Sequence, residues 1–241
     1  MVNDLDSLWV LICGCLVFYM QSGFAMLEVG TVRSKNSHNI LLKNVVDVCA
    51  GTIFWWIFGY SFAYGDSSNN FIGFTNPFKD TNELDWFFQW AFATTATTIV
   101  SGSIAERTQF FAYLIYSSIM TGFIYPVVVH WTWGGGWLSN KGYVDFAGSG
   151  IVHMVGGCAG LAGTVILGPR LGRFSYNENE ECFKPHNIPL AVLGTIILWF
   201  GWYGFNAGST LSFTGENVAT ASLIVMNTSI AAATGGLTVL F

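Results

Sequence analysis

The sequence predicts an all-α polytopic membrane protein, and three observations carry that prediction. Its 241 residues are 52% hydrophobic and only 10% charged, whereas soluble domains carry about 25% charged residues. Apolar stretches of about 20 residues, the length that crosses a bilayer, recur along the whole chain. Lysine and arginine are unequally shared between alternate loops, which is the mark of a chain that threads a membrane.

Seven stretches are predicted to span: 8–30, 44–64, 86–104, 110–131, 145–167, 188–207 and 218–241. The first follows an acidic start, Met1-Val2-Asn3-Asp4-Leu5-Asp6, where a cleavable secretory signal needs basic residues. It is therefore read as a retained helix. The third contains Ala91-Phe-Ala-Thr-Thr-Ala-Thr-Thr98 and the fifth contains Gly156, Gly157, Gly160 and Gly163. Small residues at such spacing let helices approach closely in lipid, so both helices are expected inside a bundle. The loops are short, apart from 66–85 and 168–186.

The first loop holds Arg33, Lys35 and Lys43, the third Arg107, and the fifth Arg170, Arg173 and Lys184; the other basic residues are Lys79 and Lys141. Cytoplasmic loops carry the excess, so the N-terminus is expected outside. The cysteines Cys13, Cys15, Cys49, Cys158 and Cys182 form no CxxC or metal-ligand spacing. Four of them read as small packing residues and Cys182 as a free thiol. No metal site, no cofactor and no catalytic residue is expected, and no basic patch suggests nucleic acid.

Ionisable residues within a membrane are functional candidates by default. Glu28 lies near Arg33 and Lys35 and reads as half of a local ion pair. Asp47 lies near Lys43 and reads as a cap or ion pair. Asp145 opens the fifth stretch, and His153 lies about 12 Å deeper at 1.5 Å per residue. From the residue alone, His153 serves a pore or hydrogen-bonds a neighbouring helix. Phe88 and Phe92 share a helix face at i, i+4, as do Phe205 and Ser209. Ordered by depth, Trp133 and Ser209 lie outermost, Phe92 and Phe205 below them, and His153 deepest. That order suits a small cation that meets aromatic faces while losing water, then two stacked rings, then an imidazole that takes a proton. Packing alone explains each aromatic singly.

Five ordered segments resemble the ammonium transporter, methylammonium permease and Rhesus family: Gly23-Phe-Ala-Met-Leu-Glu-Val-Gly-Thr-Val-Arg-Ser-Lys-Asn36, Ile104-Ala-Glu-Arg107, Trp133-Gly-Gly-Gly136, Asp145-Phe-Ala-Gly-Ser-Gly-Ile-Val-His153 and Gly201-Trp-Tyr-Gly-Phe-Asn-Ala-Gly-Ser209. Trp133 and the serine of Phe205-Asn-Ala-Gly-Ser209 make the chain more similar to the ammonium transporter branch. The resemblance implies eleven helices in two inverted five-helix repeats, with residues 1–241 as the N-terminal part: helices 1–5 form the first repeat, and about 188–241 begin the second. It implies a homotrimer and uptake of ammonium or ammonia, with methylammonium as analogue, through one pore per subunit in the lipid bilayer. It assigns substrate binding to Trp133, Phe92, Ser209 and Phe88, with Phe88 facing the site from a neighbouring subunit. It assigns the gate to Phe92 and Phe205, structural support to Asp145, and the first of two pore histidines to His153.

The family's second pore histidine belongs to a tenth helix. His130 and His186 fall at helix ends and do not replace it. Because the sequence stops at Phe241 inside an apolar run, truncation is expected, and the 241-residue chain alone is expected not to transport. The competing readings are an ammonium sensor, an intramembrane enzyme (which lacks a matched nucleophile and base), and a regulatory or inactive fragment. A multi-pass protein of the plasma membrane is the expected location.

Overall fold

The computed structural model describes residues 3–67, 69–75, 81–174 and 183–240, so Lys79, Cys182 and Phe241 lie outside the described residues. Every described element is helical. Helix α1 is Asp4–Thr31, capped by the Asn3 side chain, which accepts from the Leu5 N–H. Helix α2, Ser37–Phe54, continues through a π-turn at Trp55–Gly59 into α3, Tyr60–Tyr64. Helix α4 is Glu83–Ser103. Helix α5, Phe110–Ile119, runs through a second π-turn into α6, Tyr125–Trp131. A π-turn at Ser149–Met154 opens α7, Val155–Leu167. Helix α8, Ile188–Trp202, closes with a π-turn at Tyr203–Ala207, and α9 is Asn217–Leu240.

Six of these rods are long and apolar enough to cross a membrane by length and composition. The seventh, α4, is more polar and lies at the centre of the bundle. From Ala91 to Thr98 every residue of it is buried. Its polarity is tolerated there because Thr94, Thr95 and Thr97 donate their hydroxyls to carbonyls of their own helix, 2.8–3.2 Å away, so none of these three hydroxyls is left orphaned.

Helix α1 packs along α4 on one side and α8 on the other. The α1–α8 seam is made of glycine. A Cβ on Gly30 would lie 2.4 Å from the Ala191 nitrogen, and one on Gly194 would lie 2.3 Å from the Leu27 nitrogen. Backbones that close leave no room for a side chain. Helix α7 meets α4 the same way through Gly156, Gly160 and Gly163, whereas a Cβ on Gly157 would touch nothing. The opposite flank of α7 is open, with Leu161, Val165 and Ile166 exposed. The fifth helix thus packs in the bundle by one face: Gly156 and Gly160 are buried, and its back is free.

The loops sort to two ends. At one end, Arg33 of the first loop and Arg170 of the fifth both ion-pair with Glu106 of the third. At the other, the Asp6 carboxylate accepts hydrogen bonds from Ser212, Phe213 and Thr214, at 2.8–3.1 Å. The N-terminus therefore shares an end with the loop after α8, and the arginine-rich loops share the opposite one.

Three sequence readings change. The fifth helix begins at Ser149, not at Asp145, so His153 lies in its first turns rather than two turns inside. Glu28 does not pair with Arg33, which is taken by Glu106. It faces inward and accepts from Asn44 and Ser101. Asp47 lies deep in α2 and accepts from Thr98 and Ser117 instead of capping the helix. For Glu28 and Asp47, burial inside the bundle outcompetes a contact that adjacency in sequence suggested.

Candidate functional site: an aromatic cavity above a phenylalanine pair

Asp145 organises the site from a loop. Its Oδ1 accepts from the N–H groups of Gly148 and Ser149, at 2.8 and 3.1 Å, and its Oδ2 from those of Gly150 and Ile151, at 2.9 and 2.8 Å. These are the donors a helix start leaves unpaired, and a carboxylate there also meets the positive end of the helix dipole. Gly148, at φ +93°, turns the chain into the helix; a side chain there would clash with Val152 and approach Trp133.

The carbonyl of Asp145 then accepts from Trp133 Nε1 at 2.7 Å. One residue thus fixes both the tryptophan and the helix that carries His153. The carbonyl of Gly148 lies 3.3 Å from His153 Nδ1. Since a carbonyl only accepts, Nδ1 is the donor in this contact, which leaves Nε2 to face a partner.

The aromatic side chains form a file. Trp133 meets Phe92 edge-on at 5.9 Å, Phe92 stacks on Phe205 at 4.2 Å and 29°, and Phe205 meets the edge of His153 at 5.4 Å. Phe92 and Phe205 are each only 1% exposed. Above them, on the Trp133 side, lies a cavity of about 480 Å³ lined by Trp133, Phe88, Phe92, Ser209, Tyr64 and Asp85, among others. Ser209 donates its hydroxyl to the Phe205 carbonyl at 2.8 Å, which leaves its lone pairs to accept. Phe88 lines this cavity from within the same chain and touches Phe92 at 4.8 Å.

The structure thus gathers Trp133, Phe88, Phe92, Ser209, Phe205, Asp145 and His153 around one axis. Sequence reasoning missed Asp85 and Tyr64 on the cavity wall. In the sequence reading Asp85 only closes the 66–85 loop, just before the third stretch. Its Oδ2 accepts from the Tyr60 hydroxyl at 2.9 Å, and its spacing of i, i+3 and i+7 with Phe88 and Phe92 was the signal that it shares their face.

Outside the bundle, Glu106 holds the arginine-rich loops. Its side chain is fully covered, and it accepts from the backbone and guanidinium of Arg33, from Asn36 and from Arg170. Burial pushes its pKa up, but hydrogen bonds from Arg33, Asn36 and Arg170 outweigh that and hold it down at about 2. It adopts φ +65°, a conformation that costs a non-glycine residue free energy and persists where several contacts fix it.

A family model described as the Ammonium Transporter Family matches residues 8–241. The chain belongs to that family. It is 46% identical to ammonium transporter Amt2 of Archaeoglobus fulgidus over 97% of this chain and 53% of that one. It is 49% identical to ammonium transporter 1 member 1 of Arabidopsis thaliana over 90% and 48%. Among solved structures, one titled Sensor Amt Protein superposes with a TM-score of 0.92 at 36% identity, over 98% of this chain and 61% of the other. Candida albicans Mep2 superposes at 0.85 and 31%, over 98% and 54%. The chain thus spans about half the length of the ammonium transporter family members it matches among curated proteins.

Proposed function

We propose that this chain is the part of an ammonium transporter that captures the cation, gates it and presents the first pore histidine. The observation that supports this best is the buried Phe92–Phe205 stack between the Trp133 cavity and His153. In this reading the Trp133 end and the N-terminus face outside, the arginine-rich end faces the cytoplasm, and the protein works as a homotrimer in the plasma membrane.

Ammonium entering the cavity replaces water with the faces of Trp133, Phe88 and Phe92, whose quadrupoles attract a cation. Ser209 accepts one of its N–H groups, and the Asp85 carboxylate makes the cavity favourable to positive charge. The two phenyl rings close the floor. A fully hydrated ion does not fit between rings at van der Waals contact, so passage needs ring rotation and loss of water. On the far side, Nε2 of His153 accepts a proton or an N–H. The test is methylammonium uptake by the full-length protein in cells lacking their own ammonium transporters. Trp133→Leu is expected to raise KM several-fold with little change in maximal rate; an unchanged KM refutes the capture site.

The likeness to a structure titled Sensor Amt Protein supports a second reading, in which the same capture site reports ammonium without moving it. Binding without uptake by the full-length protein would decide for that reading.

A further inference from the structure

A second polar cluster lies in the bundle, off the aromatic axis, where α1, α2, α4 and α5 meet. Glu28, Lys43 and Asp47 are 5%, 7% and 2% exposed. Glu28 Oε2 accepts from Ser101 Oγ at 2.8 Å and from Asn44 Nδ2 at 3.2 Å. Lys43 Nζ donates to the Ser101 carbonyl at 3.2 Å and lies 4.7 Å above the Tyr113 ring. The Thr98 hydroxyl lies 2.9 Å from Asp47 Oδ2. Buried charge is expensive, and none of it touches the Trp133 cavity.

Two cavities approach the cluster from the arginine-rich end. A cavity of about 220 Å³, walled by Gly102, Ser103, Arg107 and Arg170, ends on Glu28. Glu28 Oε1 is buried and without a partner, and Gly102, which also walls this cavity, lies beside it: a Cβ there would be 3.8 Å from Oε1. A separate cavity of about 210 Å³, lined by Asn36, Asn39, Glu106 and Thr108, reaches Lys43.

We propose that Glu28 is a proton-binding site that exchanges with water at the arginine-rich end of the molecule. Hydronium in the cavity gives its proton to Oε1: one O–H bond forms on the carboxyl, one breaks on hydronium, and water remains. Neither hydrogen bond to Glu28 has to break, because Oε2 keeps Ser101 and Asn44 while Oε1 has no partner. The charged and titratable groups facing Glu28 are Lys43 and Asp47 of α2, Tyr113 of α5, and Arg107 and Arg170 in the loops. Helix α8 presents none, and α4 offers only hydroxyls at this depth. Arg107 donates to the carbonyls of Gly168 and Ser103 and leaves its Nε unpartnered. Two guanidinium groups on the wall repel a metal or ammonium ion from the carboxyl, whereas a proton passes along water. Once Glu28 is neutral, Lys43 retains the Ser101 carbonyl, the Tyr113 ring and the charge of Asp47.

The experiment is infrared difference spectroscopy of the protein in lipid vesicles, acidifying the solution that bathes the arginine-rich end. A protonated-carboxyl band is expected to appear, to shift when glutamate carboxyls carry carbon-13, and to vanish in Glu28→Gln. In Gly102→Leu, whose side chain thickens the wall between the cavity and Oε1, the band is expected to appear later. The isotope shift and the Gly102 variant keep the test decisive even where Glu28→Gln fails to fold. Absence of the band, its survival in a folded Glu28→Gln protein, its insensitivity to the glutamate label, an undelayed band in Gly102→Leu, or its loss with Asp47→Asn instead overturns the proposal.

Discussion

Asp145 and Glu106 show how one carboxylate can organise a loop. Asp145 satisfies four backbone donors and positions Trp133. Hydrogen bonds to a charged group contribute about 1.5–3 kcal/mol each, so Asp145→Ala is expected to cost at least about 3 kcal/mol. Asp145→Asn keeps one accepting oxygen and should fall between the two, a ranking read from thermal unfolding in detergent; an unshifted Tm for Asp145→Ala refutes it. Glu106 predicts a pH dependence. Its pKa is about 2 in the folded protein against an ordinary 4.5. A carboxylate held low stabilises the fold above its ordinary value, and the contribution disappears as pH falls through the folded value. The Tm gap between the native protein and Glu106→Gln should be full above about pH 4.5 and shrink towards zero near pH 2. A gap that widens on acidification contradicts this. Neither role was legible from spacing. Glu106 pairs with residues 73 and 64 positions away, and only the fold brings them together.

At the scale of elements, the apolar rods were legible because a run of about 20 apolar residues has few other uses. The π-turns were not. Each inserts one residue into a helix without changing its composition, and only the packing of Trp55, Met120 or Phe205 shows the change of register. The glycines of α7 were visible as a pattern, but which of them met a neighbour was not. The α1–α8 seam gives a direct test. Gly194→Leu places atoms where the Leu27 backbone already lies. Overpacking usually costs about 1–3 kcal/mol, and here backbone rather than a flexible side chain must yield. A clear fall in folded yield and Tm is expected for Gly194→Leu, and none for Gly157→Leu, whose Cβ faces open space. Equal effects would mean that the seam is not what holds the two helices.

For the whole molecule, the ring contacts run Trp133, Phe92, Phe205, His153, the order in which the helix directions arranged these residues; their roles belong to the proposal. Sequence reasoning misjudged the surroundings of Glu28 and Asp47, because a one-dimensional pattern does not say which face of a helix a neighbour covers. The described chain is also unevenly covered. Helix α9 buries only Ala221 and Thr228, and His153 is exposed on the flank. The curated relatives it matches are about twice as long. Expressed by itself, the 241-residue chain is expected not to restore ammonium-dependent growth to cells lacking their own transporters; restored growth refutes that expectation.

The glycine seam also constrains the order of events during synthesis. His186 at the start of α8 contacts Val32 at the end of α1, 154 residues earlier. At about 5–20 residues per second, α1 waits roughly 8–30 s before its partner exists. During that interval its smooth glycine face must rest against lipid, the insertion machinery or α4. Helix α4 is made earlier and packs on the other side of α1, so one of the two surfaces that cover α1 exists well before α8 does.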